Sequence, residues 1–356
     1  MSHSAVIMAG MLLVILGAGA SFDSAEEAGI EPGRRSEIHE WRPPLAKDLF
    51  VPRNHLGSVL QRYGDYCAGL IGELRAAPAD QPLEQLLDEV SARAKDRQDS
   101  RAATELMAIR YYIRDFIEAC SDSWLTMTRH ITNYHYLVNR LDRWAREADE
   151  QVLYVTFNHD TLLEHACRQA KLFITDFNSY IAHPRIKVFK PHGSVDWAHH
   201  VNFDIVPDVN ERDYVIQNAS TLNIPFVFEK RTDWRAGIRG QEWIPALAVP
   251  VYRKSEFECP PEHIEALRSL LPKVDRLLVI GWRATEQNFI ELLVAERSQR
   301  LRSALIACKS KKDSGGVWTQ LEYAFQPRPT GFSNLENDIG FSDLARRRDL
   351  LDGLLA

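Results

Sequence analysis

Residues 12–16, Leu-Leu-Val-Ile-Leu, run directly into Gly17-Ala18-Gly19-Ala20-Ser21, and this junction constrains the fold more than any other stretch of the chain. Five consecutive apolar residues suit a short strand buried on both faces, as in a parallel sheet. The small residues that follow let the backbone turn tightly and present N–H groups to a bound diphosphate. A G-x-G-x-x-G fingerprint would need a third glycine where this chain has Phe22, so the dehydrogenase signature is incomplete. The alternative reading is a tight strand-to-helix turn without a ligand.

Further apolar runs repeat the pattern. Residues 152–156 end in Phe157-Asn158-His159-Asp160 before a helix over 161–170. Residues 186–189 lead into Lys190-Pro191-His192-Gly193-Ser194-Val195-Asp196-Trp197. Residues 276–280 end in Gly281-Trp282-Arg283, and Thr285 is placed to cap a helix carrying Phe289, Ile290, Leu293 and Val294. Residues 304–307 form the last strand. Alternating strands and helices predict an α/β fold with a doubly wound, parallel, Rossmann-like sheet. Open sheets of this kind bind ligands at the carboxyl ends of their strands, where Asn158, Asp160, His192 and Gly281 all fall. Asp160 could instead simply cap the helix after it. His192, between Pro191 and Gly193, is poorly placed for core packing and is a candidate base, the alternative being a surface histidine.

The intervening segments differ in character. Residues 26–42, rich in Gly, Pro and charge, suit a mobile loop over a site, and Trp41-Arg42-Pro43-Pro44-Leu45 closes it before a short helix at 45–50 or a Pro-rich corner. From 55 to 150 the signal is helical: Leu106, Ile109, Ile113, Phe116, Ile117 and Cys120 share one face, and Ile131, Tyr134, Leu137, Val138, Leu141 and Trp144 repeat it. Pro78 and Pro82 separate earlier helices from one starting near Leu83. The expected organisation is therefore a catalytic domain of residues 1–54 and 151–356 interrupted by a helical insertion module at 55–150. Residues 197–241 read as a β-containing excursion, with alternation at 203–206 and 214–216; a further strand is expected at 246–249 and a short helix at 263–271.

Charge and cysteine usage narrow the function. With 43 Lys and Arg against 49 Asp and Glu, the net charge of −6 argues against a surface built to grip nucleic acid or anionic lipid. Cys67, Cys120, Cys167, Cys259 and Cys308 are far apart, so no C-x-x-C pair offers a zinc ligand set, and buried reduced thiols in the cytoplasm are expected. Residues 5–20 follow only His3, without Lys or Arg, and are broken by Gly10, Gly17 and Gly19. They read as a first strand rather than as a signal peptide or membrane span.

Taken in order, GAGAS, TFNHD, KPHGSVDW and IGWRATEQNF resemble the sirtuin family, specifically its prokaryotic sirtuin-like NAD hydrolase branch, often found in anti-phage defence. The family's glycine-rich NAD loop matches Gly17, Ala18, Gly19 and Ser21; its Q-N-x-D segment matches Phe157-Asn158-His159-Asp160, with Phe for Gln; its His-Gly pair matches His192-Gly193; its later strand-end glycine matches Gly281. The Pro43–Phe50 run, Pro-Pro-Leu-x-x-x-Leu-Phe, is also similar. The zinc ribbon of deacetylase sirtuins has no counterpart in the cysteines, and no metal is expected.

The resemblance implies that NAD is the substrate, that Asn158 orients a water and the ribose hydroxyls, that His192 is a general base and that Asp160 holds the nicotinamide carboxamide. It implies hydrolysis to nicotinamide and ADP-ribose, with NAD-dependent protein deacylation or non-catalytic sensing of NAD or ADP-ribose as alternatives. It also implies a homo-oligomer and a HerA-type ATPase as partner, with no membrane and no direct nucleic-acid contact.

Overall fold

The computed structural model describes residues 10–77, 83–95, 99–205, 208–234, 238–249, 257–296, 298, 301–325 and 339–356. Residues 5–9 of the opening apolar run, Pro78, Pro82 and Val206 lie outside the described residues. Strand β1 (Met11–Leu16) is wholly buried and sits at the centre of a five-stranded parallel sheet. It pairs on one side with β2 (Gln151–Thr156), which pairs with β3 (Ile186–Phe189).

The antiparallel strands β4 (Gly193–Asn202), β5 (Phe228–Lys230) and β6 (Gln241–Leu247) make a second, three-stranded sheet in the order β5-β4-β6. The other neighbour of β1 is β7 (Arg276–Ile280), followed by β8 (Ser303–Ala307), giving the order β3-β2-β1-β7-β8. The strand order reverses on either side of β1, which makes the carboxyl end of that strand a switch point where ligands bind in open α/β sheets.

Both faces of the large sheet are covered, which is why its strands read as unbroken apolar runs. Leu12, Val14 and Leu16 enter one core, while Met11, Leu13 and Ile15 enter the other. After β1 comes a single-turn helix, α1 (Ala18–Phe22). Residues 26–42, read as a loop, carry two 3-10 turns at Glu27–Gly29 and Pro32–Glu37 and the short α2 (Ile38–Trp41); Ala46–Asp48 is a further 3-10 turn.

Four helices precede β2: α3 (Asn54–Ala76), α4 (Leu83–Lys95), α5 (Ser100–Met127) and α6 (Asn133–Ala148). The 28-residue α5 spans two cores. Its first two thirds pack with α3, α4 and the second sheet through Ile109, Tyr112, Ile113 and Phe116 against Val195, Val201, Ile244 and Leu247. Its last turns, with Trp124 and Met127, join α6 on the large sheet. The apolar faces of the helical region are thus covered largely by the strands that follow His192.

The remaining helices are α7 (Leu162–Gln169), α8 (Phe177–Ala182), α9 (Glu211–Gln217), α10 (Pro261–Leu270), α11 (Gln287–Ala295), α12 (Lys311–Leu321), α13 (Phe341–Arg346) and α14 (Arg348–Leu355). Three local expectations change. Residues 214–216 are helical: Asn210 caps α9 by accepting from the amides of Arg212 and Asp213, and the acidic first turn suits a helix start, which a three-residue alternation could not reveal.

Residues 246–247 complete β6 rather than opening a strand of their own, because β6 already pairs with β4 from Gln241. The N-cap residue of α11 is Glu286, whose carboxylate accepts from the amide and hydroxyl of Thr285, so Thr285 is drawn into the turn before the cap. Among the described residues, no helix is long and apolar enough to cross a membrane.

Candidate active site

The end of β1 is locked to the end of β7 by three glycines. Gly17 donates its amide to Ile280 O (3.1 Å) and Gly19 donates to Gly281 O (3.0 Å), while Gly281 donates onward to Ala307 O (2.9 Å) on β8. A Cβ on Gly17 would lie 2.6 Å from Gly281 O, and one on Gly281 would lie 2.3 Å from the Ala20 amide nitrogen. Gly281 also has φ +59°, in the left-handed region that side chains resist.

The glycine-rich turn therefore works first by close backbone packing. The amides of Gly17 and Gly19, expected to face a diphosphate, are engaged with the neighbouring loop; Ala18, first residue of α1, is where helix geometry leaves an amide with no intrahelical acceptor. Phe22, at the position of the absent third glycine, packs under the Arg42 guanidinium at 4.9 Å, which ties the 26–54 segment to α1.

Against this turn stands a buried polar network. Asn158, 7% exposed at the end of β2, donates from Nδ2 toward Gly17 O (3.0 Å), Ser21 Oγ (2.9 Å) and Tyr134 OH (3.1 Å). A carbonyl can only accept, so the contact with Gly17 O fixes which end of the amide is nitrogen. The opposite atom, Oδ1, is buried without a hydrogen-bond partner. A buried acceptor left open costs about 1–3 kcal/mol, so this oxygen can take a donor without giving up another bond.

Ser21 Oγ and Tyr134 OH lie 2.9 Å apart. Asp160 accepts from the Leu162 amide at 3.0 Å, and burial raises its pKa above the ordinary carboxyl range, partly offset by Lys190 and the Ser21 hydroxyl. The N-cap residue of α7 is Thr161, with no side-chain cap bond, so Asp160 does not fill the cap position it might have served.

His192 is buried at 3% exposure, despite lying in a loop-like Pro-His-Gly context. The reason is Gly193, at φ +75°, where an added Cβ would meet Ala246 O at 2.0 Å: the chain reverses tightly against β6 and tucks the imidazole inward. There it meets the edge of Phe157 (ring centroids 4.9 Å), which stacks on Trp282 (5.4 Å), and His159 lies 6.2 Å away. His192 thus reaches Asn158 through the adjacent Phe157. Of the site residues proposed from sequence, Gly17, Ser21, Asn158 and Asp160 form one connected set, Gly17 and Gly19 join Gly281, and His192 stands on the far side of Phe157.

Two contributors were not singled out in the sequence as site residues. Tyr134, on α6, brings its hydroxyl into the network; it sits in a helical apolar stripe and reads there as core. Lys190, fully buried, donates to Asp160 O (2.5 Å) and pairs with Glu164 (2.8 Å), whose carboxylate also accepts from Tyr180 OH (3.0 Å). Lys190 links the ends of β2 and β3, and a lysine closing an otherwise apolar strand was its only sequence signal. Ile131, placed in the same stripe as Tyr134, precedes α6 and is 49% exposed.

All five cysteines are free and buried, and the described residues contain no group of three His, Cys, Asp or Glu side chains able to hold a metal ion. The fold and site define an α/β protein with a Rossmann-like sheet and a buried polar cluster at the strand ends. No protein-family model matches the chain, and no curated protein does. A solved structure reported under "The Structural basis of Sirtuin Substrate Affinity" aligns with 96% of this chain and 93% of its own, at 13% identity and a TM-score of 0.36. A likeness that low carries no weight, and the fold class rests on sheet order and layering.

Proposed function

We propose that this protein is an NAD hydrolase that cleaves the nicotinamide N-glycosidic bond to give nicotinamide and ADP-ribose. The observation that carries the reading is Asn158: its amide nitrogen is held by Gly17, Ser21 and Tyr134, while its buried Oδ1 is left open to accept from a ribose hydroxyl or a water. Departure of neutral nicotinamide from a cationic pyridinium needs no proton from the protein. The demand is to orient the ribose and deliver a nucleophile, which differs from the paired carboxylates of ordinary glycosidases.

His192, buried at the end of the neighbouring strand β3, serves as base toward the water or a ribose hydroxyl. Asp160 faces the carboxamide, and the tight Gly17–Gly19–Gly281 interlock lets the diphosphate approach the backbone at Ala18. The test is chromatography of NAD after incubation with purified protein. Asn158→Ala and His192→Ala are each expected to lower nicotinamide release by ~10²–10⁴ while each variant still melts cooperatively as a folded protein. Full activity in either variant refutes the assignment; NAD binding without turnover makes the chain a sensor, and consumption only with an acyl-peptide makes it a deacylase.

An NAD hydrolase that is always active would be toxic, so we extend the proposal to a cytoplasmic defence effector restrained by self-assembly or by a HerA-type ATPase. Phe226 and Val227, 56% and 62% exposed beside the small sheet, offer apolar surface for such contacts. Light scattering at micromolar concentration is expected to give an oligomer; a monomer with full activity in dilute isolation overturns this part.

A further inference from the structure

A cavity of about 820 Å³ opens behind the strand-end site, between the 25–29 turn, the start of α6 and the two C-terminal helices α13 and α14. Five arginines line it, Arg129, Arg140, Arg143, Arg346 and Arg348, against a single acid, Glu26. Two are already compensated: Arg346 pairs with Glu26 (2.8 Å) and Asp343 (3.0 Å), and Arg140 pairs with Asp352. Arg129, Arg143 and Arg348 make no ion pair among the described residues. Three exposed guanidinium groups without an acidic partner thus face one concavity and give it a positively charged lining.

The rest of the lining is amphipathic. Tyr136, 56% exposed, stands beside His135 at a ring separation of 5.9 Å, while Leu137, Leu344 and Leu351 supply an apolar wall. The volume falls in the range of pockets that enclose small ligands, roughly 300–1,000 Å³. Planar guanidinium forks match phosphate oxygens two at a time, where lysines would act only as point charges. From these features we propose that the cavity binds a nucleoside diphosphate or triphosphate, its phosphates held by Arg129, Arg143 and Arg348 and its base lying against Tyr136 and the leucine wall.

The cavity is separate from the strand-end site but backs onto it. Asn133, in its lining, donates to Asp23 O (2.8 Å) and Ser342 Oγ (3.0 Å), and Phe341, also in its lining, meets the edge of Tyr134 at 5.2 Å. The ligand is thus one side chain removed from the hydroxyl that touches Asn158. The assignment goes beyond the hydrolase reading and is tested without NAD turnover, so either can fail alone.

The experiment is calorimetric titration of the full chain with ADP and, separately, with inorganic pyrophosphate, followed by hydrogen exchange of the ADP complex. ADP is expected to bind, to protect peptides covering 128–143 and 341–351, and to bind at least roughly 10-fold more weakly to an Arg143→Gln, Arg348→Gln double variant. Tyr136→Ala is expected to weaken ADP and leave pyrophosphate unchanged. Neither arginine has a described ion pair to lose, and the melting temperature of the double variant checks that it is folded. No ADP binding, unchanged affinity in the folded double variant, protection confined to 17–24 and 281–286, or pyrophosphate binding as tightly as ADP each overturns the proposal.

Discussion

The Ser21–Tyr134–Asn158 cluster makes a quantitative prediction, because Ser21 has more partners in it than Tyr134 does. Asn158 Nδ2 carries two hydrogens, and one is claimed by Gly17 O. Ser21 Oγ lies against both Asn158 Nδ2 (2.9 Å) and Tyr134 OH (2.9 Å), and its hydroxyl also helps hold the Asp160 pKa down against burial. Either hydroxyl can donate to the other, and the second hydrogen of Asn158 is shared between the two oxygens. Tyr134→Phe removes one donor and one of three acceptors, leaving Gly17 O and Ser21 Oγ for the two Asn158 hydrogens, so no buried donor is orphaned. The expected cost is about 1 kcal/mol, the net worth of one neutral hydrogen bond.

Ser21→Ala is different. It removes a partner of Asn158, of Tyr134 and of the buried Asp160 carboxyl together, so about 2–3 kcal/mol is expected in all. Urea denaturation measures both, and an unchanged m value ensures that the difference is one of native stability. Tyr134→Phe costing as much as Ser21→Ala, or more, would refute this ordering.

Gly281→Ala places a Cβ 2.3 Å from the Ala20 nitrogen at φ +59°, so its destabilisation should exceed the ~1–2 kcal/mol of a left-handed alanine alone; a denaturation midpoint near that of the unsubstituted chain would refute the interlock. Asp160→Asn tests burial of the carboxyl. A pKa raised from 3.8 means that stability present below the unfolded value is lost as pH rises through the folded value, so the neutral variant, which keeps an oxygen for the Leu162 amide, should gain on the parent between pH 4 and pH 7. A stability difference that is flat or shrinks over that range, read by melting temperature at each pH, counts against it.

The elements legible in the sequence were those whose environment is uniform. The strands at 11–16, 151–156, 186–189, 276–280 and 303–307 are buried on both faces, so local composition and their small-residue or polar ends sufficed to find them and to point at Asn158, Asp160, His192 and Gly281. The long helices α3 to α6 were legible for the same local reason, a repeating apolar face. Features that depend on distant partners were not.

The second sheet pairs β4 with β6 across some forty residues, and its cover of α3–α5 could not be read from either segment alone. Tyr134 is an ordinary stripe residue until α6 docks and points its hydroxyl at Ser21 and Asn158. The amides of Gly17 and Gly19 look free for a ligand until β7, about 260 residues later, supplies the carbonyls that take them. Local sequence determined where strands and helices form because propensity and periodicity act over a turn or two. Only tertiary structure decided which polar atoms are satisfied and which, like Asn158 Oδ1, are left open, because that depends on which buried groups the folded chain brings within three ångströms.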